Sequence, residues 1–293
     1  MISNPFSIID PHLHLFNLQE GDYAWLKPTK PPFWPDKEHI NRQFTEADIS
    51  LHSPLKLSGF VHIEAGFDNR QPWREIDWLE QHCQLPFRSV GYADLTSDEF
   101  LLHLEHLCLR SSVVGIRYIL DEHAYTLLNT PKFLGHLKTL SRHHLSFDAQ
   151  MSLLNSEAVV KLIRLLESTP ELKVIINHAG WPPTFADQDA WQCWQKNLQK
   201  LAHFPQVAIK LSGWEMSNRD WDLEMMSPVL DTCLTNFDDT NLMLASNFPL
   251  CTWRFSMQDL WQNYTANLGL LGSTLSRLTS TNAADWYKFN TAD

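Results

Sequence analysis

Short apolar runs recur along the whole chain, at residues 6–16, 57–66, 87–95, 112–120, 145–151, 173–180, 207–214 and 241–249. Each has the length and content of a buried strand. Between several of them apolar residues return every three or four positions, as in residues 99–110, 157–168 and 189–204, which predicts helices with one apolar face. Strand then helix, repeated eight times, predicts an α/β protein built as a (β/α)8 TIM barrel. A doubly wound sheet shows the same alternation but needs a glycine-rich phosphate turn after its first strand, and "HLHLFNLQEGDY" has none. With no linker or break in composition, the expectation is one barrel domain over residues 1–293. Its first loop, residues 17–45, is long and carries "KPTKPPFWP", the character of a lid or binding loop.

The polar residues inside the apolar runs change this picture from fold to chemistry. In "IIDPHLHLF" the two-residue period of a strand puts Asp10, His12 and His14 on one side and Ile9, Leu13 and Leu15 on the other. Barrels of this kind place their active sites at the C-terminal strand ends. There the chain sets His12 and His14, His62 and Glu64, Arg117, Asp148 and Gln150, His178, Lys210 and Ser212, and Asn247. An H-x-H pair serves metal binding, catalysis or neither, and His62, Gln150, Lys210 and Ser212 serve equally well as supporting contacts. Arg117 has the planar fork that clasps a substrate carboxylate, or a structural partner inside the mouth. Trp181, Trp214 and Trp253 follow strands, and Trp25 and Trp34 lie in the first loop; aromatics so placed suit a flat or sugar-like ligand, with core packing as the alternative.

Charge and cysteine content narrow the partners. The chain has 23 Lys and Arg against 34 Asp and Glu, a net charge of −11, with no basic cluster to neutralise phosphates, so nucleic acid is excluded as an expected partner. Five scattered cysteines without a C-x-x-C pair point to reduced thiols and a cytoplasmic setting. No run is long and apolar enough for a membrane span, and "MISNPFSIID" lacks the pattern of an export signal. The expected partner is a small-molecule substrate; the oligomeric state stays open.

In order along the chain, "IIDPHLHLF", "DYAWL", "RQFTEADI", "HIEA", "GIRYIL", "FDAQ", "NHAGWP", "KLSGW", "ASNFPLC" and "TNAADWY" resemble the amidohydrolase-2 family, and within it the sugar-acid and 2-pyrone-dicarboxylate lactonases. The resemblance implies an amidohydrolase-like barrel hydrolase that opens the ester bond of a small lactone, either a sugar-acid lactone or a carboxylated cyclic ester. The family's histidines fall on His12, His14 and His178, which would hold one divalent metal, zinc being the first choice, or would bind carbonyl and water with no metal. The substrate-binding set would be His62, Arg117, Trp181, Trp214 and Trp253. The family's strand 8 aspartate falls on Asn247, whose amide is not basic and offers only a neutral carbonyl oxygen. Asn177 and Trp181 also stand where relatives often carry an acid and a lysine. The base would therefore pass to Asp148, Glu64 or a histidine. Two other expectations stay open: a barrel that has lost catalysis and binds a sugar acid or related metabolite, and a metal-dependent decarboxylase.

Overall fold

The computed structural model describes residues 5–289. All eight expected strands form: β1 (Phe6–Leu13), β2 (Leu55–Ile63), β3 (Phe87–Tyr92), β4 (Val113–Ile119), β5 (Ser146–Gln150), β6 (Val174–Ile176), β7 (Val207–Leu211) and β8 (Leu242–Leu244). They pair in parallel in sequence order, and the sheet curls until β1 meets the segment after β8 through the Leu13–Phe248 bridge. The expected helices span Phe100–Cys108, Ser156–Ser168 and Gln188–Leu201. Several start on side-chain caps: Asn155, Asp187 and Asp222 each accept a backbone N–H three residues on. Each such cap stabilises a helix start by about 1 kcal/mol.

Alternation along the strands splits the core in two. Residues such as Phe147, Val174, Ile176, Ile209 and Leu211 face outward against the helices. Val61, Ile63, Val90, Val114, Ile175, Ala208 and Met243 fill the barrel, joined by Trp286 and Tyr287 from the C-terminal segment. That segment closes the N-terminal end: Trp286 Nε1 donates to the Thr240 carbonyl ahead of β8, and Arg88 at the start of β3 donates to the Lys288 carbonyl.

β1 departs from simple alternation. Ile9 packs with the inner core, whereas Leu13 and Leu15 belong to the outer one, so the three do not share a side. Pairing with β2 shifts register between Ile8 and Ile9 and again between Asp10 and Leu13, and Pro11 has no N–H to hold the ladder there. Among the described residues no helix is long and apolar enough to cross a membrane.

Candidate active site at the C-terminal mouth of the barrel

The floor of the mouth is a fully buried ion pair. Lys210 on β7 meets Asp148 on β5 at 2.6 Å, and the Tyr287 hydroxyl donates to the same carboxylate at 2.9 Å. Burial pushes the Lys210 ammonium down to about 8 against the pull of Asp148. On its other side Lys210 Nζ lies 3.4 Å from His12 Nδ1.

Above the floor three imidazoles converge. The His12 ring lies 5.1 Å from that of His14 and 4.8 Å from that of His178, centroid to centroid. All are buried, and burial is the main reason each pKa falls: His178 drops to about 3, and His12 and His14 well below the ordinary value. The charges of Lys210 and Arg117 add to the effect. The rings are therefore neutral, and their neighbours set the tautomers. His14 Nδ1 lies 2.7 Å from the Ile63 carbonyl and donates to it, which leaves a lone pair on Nε2. His12 Nδ1 faces an ammonium and accepts, which leaves the proton on Nε2, a buried atom with no partner among the described residues. His178 Nδ1 is 3.0 Å from Ser212 Oγ.

The β6 turn that carries His178 is held in an uncommon shape. His178, Ala179 and Trp181 all have left-handed backbone, at φ 55, 49 and 56°, as does Gly180 between them. Non-glycine residues take this conformation at a cost and persist in it where the surroundings fix them. Here Trp181 lies against the His178 ring at 4.8 Å, its Nε1 donates to Asp121 Oδ1 at 3.1 Å, and Trp194 Nε1 donates to the Ala179 carbonyl. Gly213 passes so close that a Cβ there would stand 2.4 Å from His178 Nδ1.

Carboxylates ring the mouth with different partners. Glu64 accepts from Arg117 Nε at 2.8 Å, and the same guanidinium reaches the Glu64 carbonyl. His62 uses both ring nitrogens inside the protein, Nε2 on Glu75 at 3.0 Å and Nδ1 on the Leu15 N–H. Asp10 accepts the N–H groups of His12 and Ser246, and burial raises its pKa to about 6. Gln150 donates to Asp121. Asn247 Nδ2 donates to Glu215 Oε1 at 2.5 Å, and burial lifts the Glu215 carboxyl to about 7.

Of the tryptophans, Trp25, Trp34 and Trp253 make a chain of edge contacts from the first loop to the segment after β8. Arg219 lies 3.7 Å over the Trp253 ring and pairs with Asp36 of the first loop at 2.6 Å. Trp214 instead sits in the wall, its Nε1 donating to the Tyr264 hydroxyl. The mouth thus brings together His12, His14, His178, Lys210 and Asp148, with Arg117–Glu64 and Asn247 beside them. His62 stands behind His14 as support, its ring 6.4 Å away. Sequence reasoning missed Glu215, Asp121, Glu75, Arg219 and Tyr287. For Glu215 and Asp121 a signal existed, since each is an acid in the short stretch that follows a barrel strand.

The donor set tests whether a divalent ion belongs here. His12 holds its proton on the nitrogen that a metal at the mouth would need, and Asn247 supplies no anionic oxygen. Among the described residues no group of three His, Cys, Asp or Glu side chains stands as one that could hold a metal ion. These residues do not fit a bound metal.

A model of the Amidohydrolase family matches residues 9–289. The uncharacterized protein y4mH of Sinorhizobium fredii is 31% identical over 96% of this chain and 98% of its own. An L-fucono-1,5-lactonase of Burkholderia multivorans is 33% identical over 27% of this chain and 29% of its own. A Burkholderia multivorans amidohydrolase crystallised with zinc shares the fold, with a TM-score of 0.79 at 20% identity over 96% of this chain and 99% of that one. A match that runs from β1 to the closing C-terminal segment covers every strand of the barrel, and the chain belongs to the amidohydrolase family.

Proposed function

We propose that the protein hydrolyses the ring ester of a small, uncharged, polyhydroxylated lactone without a metal. The observation that carries this reading is the pairing of opposite roles on adjacent imidazoles: His12 offers an unpartnered Nε2–H and His14 a free Nε2 lone pair. In the reaction the ester carbonyl oxygen accepts from His12, and negative charge gathers there as water adds. His14 takes the water's proton, and its basicity rises as that charge develops beside it. The acyl–oxygen bond of the ring breaks, and the proton passes to the departing alkoxide, which leaves a hydroxy acid. Trp181 beside His178 and the Trp25–Trp34–Trp253 chain offer faces for a sugar-like ring.

Two features favour an uncharged ring over a dicarboxylate. The cations that the described residues place near the mouth already hold carboxylates of the protein, Lys210 with Asp148, Arg117 with Glu64 and Arg219 with Asp36. The short sequence likeness to an L-fucono-1,5-lactonase points the same way. A barrel that binds such a lactone or its hydroxy acid without turnover is the second reading, favoured by the amide at Asn247.

A panel of sugar 1,4- and 1,5-lactones, with 2-pyrone-4,6-dicarboxylate as the charged member, is tested by acid release at constant pH. Turnover of a neutral lactone is expected, unchanged by chelator, and His14→Ala lowers it by roughly 10²–10⁴-fold. Binding without turnover moves the protein to the second reading. Turnover only after zinc or manganese is added overturns the metal-free reading.

A further inference from the structure

We infer that Glu215 is a positioning residue: it holds the Asn247 amide with Nδ2 turned away from the mouth, so that Oδ1 faces it and accepts a hydrogen bond from the attacking water. The role given to the water rests on the hydrolase reading above; the orientation of the amide does not.

Glu215 lies in a four-residue helix, Trp214–Ser217, directly after β7, and is 1% exposed. Asn247 lies just beyond β8, 1% exposed, in left-handed backbone at φ 56°, a conformation that Asn accepts more readily than most residues. Its N–H donates to the His12 carbonyl at 2.9 Å, which fixes its backbone beside the imidazoles. Asn247 Nδ2 donates to Glu215 Oε1, so the atom of the amide that faces Glu215 is the nitrogen. Asn247 Oδ1 has no protein donor among the described residues. An acceptor held in one orientation, on a residue whose own N–H is bound to the His12 carbonyl, has the chemistry to steer a water.

The pair is also matched in a way that explains why an amide stands at position 247. An aspartate there would put two carboxyls at 2.5 Å, and both could not ionise. Other charged or titratable groups near Glu215 do not replace its contact. Arg219 bonds its backbone carbonyl, and burial keeps the Cys251 thiol and the Tyr264 phenol protonated.

The test uses the full chain and a neutral lactone turned over by the wild type. Glu215→Leu frees the amide to rotate, and kcat is expected to fall about 10- to 100-fold with KM nearly unchanged, the cost of misplacing one group at the reacting centre. Glu215→Gln keeps an oxygen that accepts the same N–H, and is expected to restore most of the loss. The double variant Glu215→Gln, Asn247→Asp reverses donor and acceptor and is expected to exceed Asn247→Asp alone. Side-chain amide NMR reads orientation without turnover: a downfield Asn247 N–H is expected in the wild type and Glu215→Gln, and is lost in Glu215→Leu. Wild-type kcat in a folded Glu215→Leu protein, or a Glu215→Gln protein as slow as Glu215→Leu, overturns the inference. So does an Asn247 N–H signal indifferent to Glu215. If no lactone is hydrolysed but the N–H signature behaves as stated, the hydrolase reading fails and the positioning stands.

Discussion

Glu64 and Glu215 sit at opposite sides of the same mouth, 6% and 1% exposed, and meet different company. On the β2–β5 side two acids are held by cations, Glu64 by Arg117 and Asp148 by Lys210 at 2.6 Å. On the β7–β8 side Glu215 meets the neutral amide of Asn247, while the nearby Arg219 is held by Asp36 and aromatic faces. One side is an arrangement of ion pairs. The other keeps an acid whose proton comes and goes near neutral pH, because burial disfavours its charge more than the Asn247 amide and the charge of Arg219 restore it.

The contrast is broken most severely by Lys210→Met, which leaves Asp148 buried beside a hydroxyl alone. A loss of about 3–5 kcal/mol in urea unfolding is expected, with most of it regained in Lys210→Met, Asp148→Leu. Equal stabilities for the single and double variants would show that the floor is not held by charge.

A smaller effect sharpens the other side. The folded pKa of Glu215, about 7, lies above the ordinary 4.5, so its contribution to stability is complete below the unfolded value and is lost as pH rises through the folded one. Between pH 6 and 8 the wild type is expected to lose about 1 kcal/mol relative to Glu215→Gln. Asp10 and Lys210 titrate in both proteins and cancel in the difference. Parallel stability curves would place the acid outside the neutral range.

Least costly to the fold is Arg219→Ala. Its pair with Asp36 is about a third exposed, so less than about 1 kcal/mol of stability is at stake. The readout is the first loop: tryptophan emission is expected to shift to the red and KM to rise severalfold with kcat unchanged. Tryptophan emission that does not respond would mean that the loop is held without this latch.

The parts legible in the chain were those written into a period. Eight strands showed as apolar runs, and His12, His14 and His178 stood out because polar residues interrupt such runs at their ends. What stayed hidden depends on contacts with no local signature. Tyr287 reaches Asp148 across 139 residues, and Glu215 belongs to a helix too short for any periodicity to register. Ile9 was misplaced for a related reason, because a register shift resets the two-residue period and leaves the composition of the strand unchanged.

The seam of the barrel has a consequence for how the molecule comes into being. Asn247 N–H donates to the His12 carbonyl, His14 N–H to the Phe248 carbonyl, and Ser246 N–H to Asp10. The stitches that close the cylinder are therefore made by the histidines' own segment and by one that leaves the ribosome more than 200 residues later. Contacts of such long sequence separation form late and slowly. A nascent chain can carry His12 and His14 without an assembled mouth, and the mouth is complete only when the last strand docks.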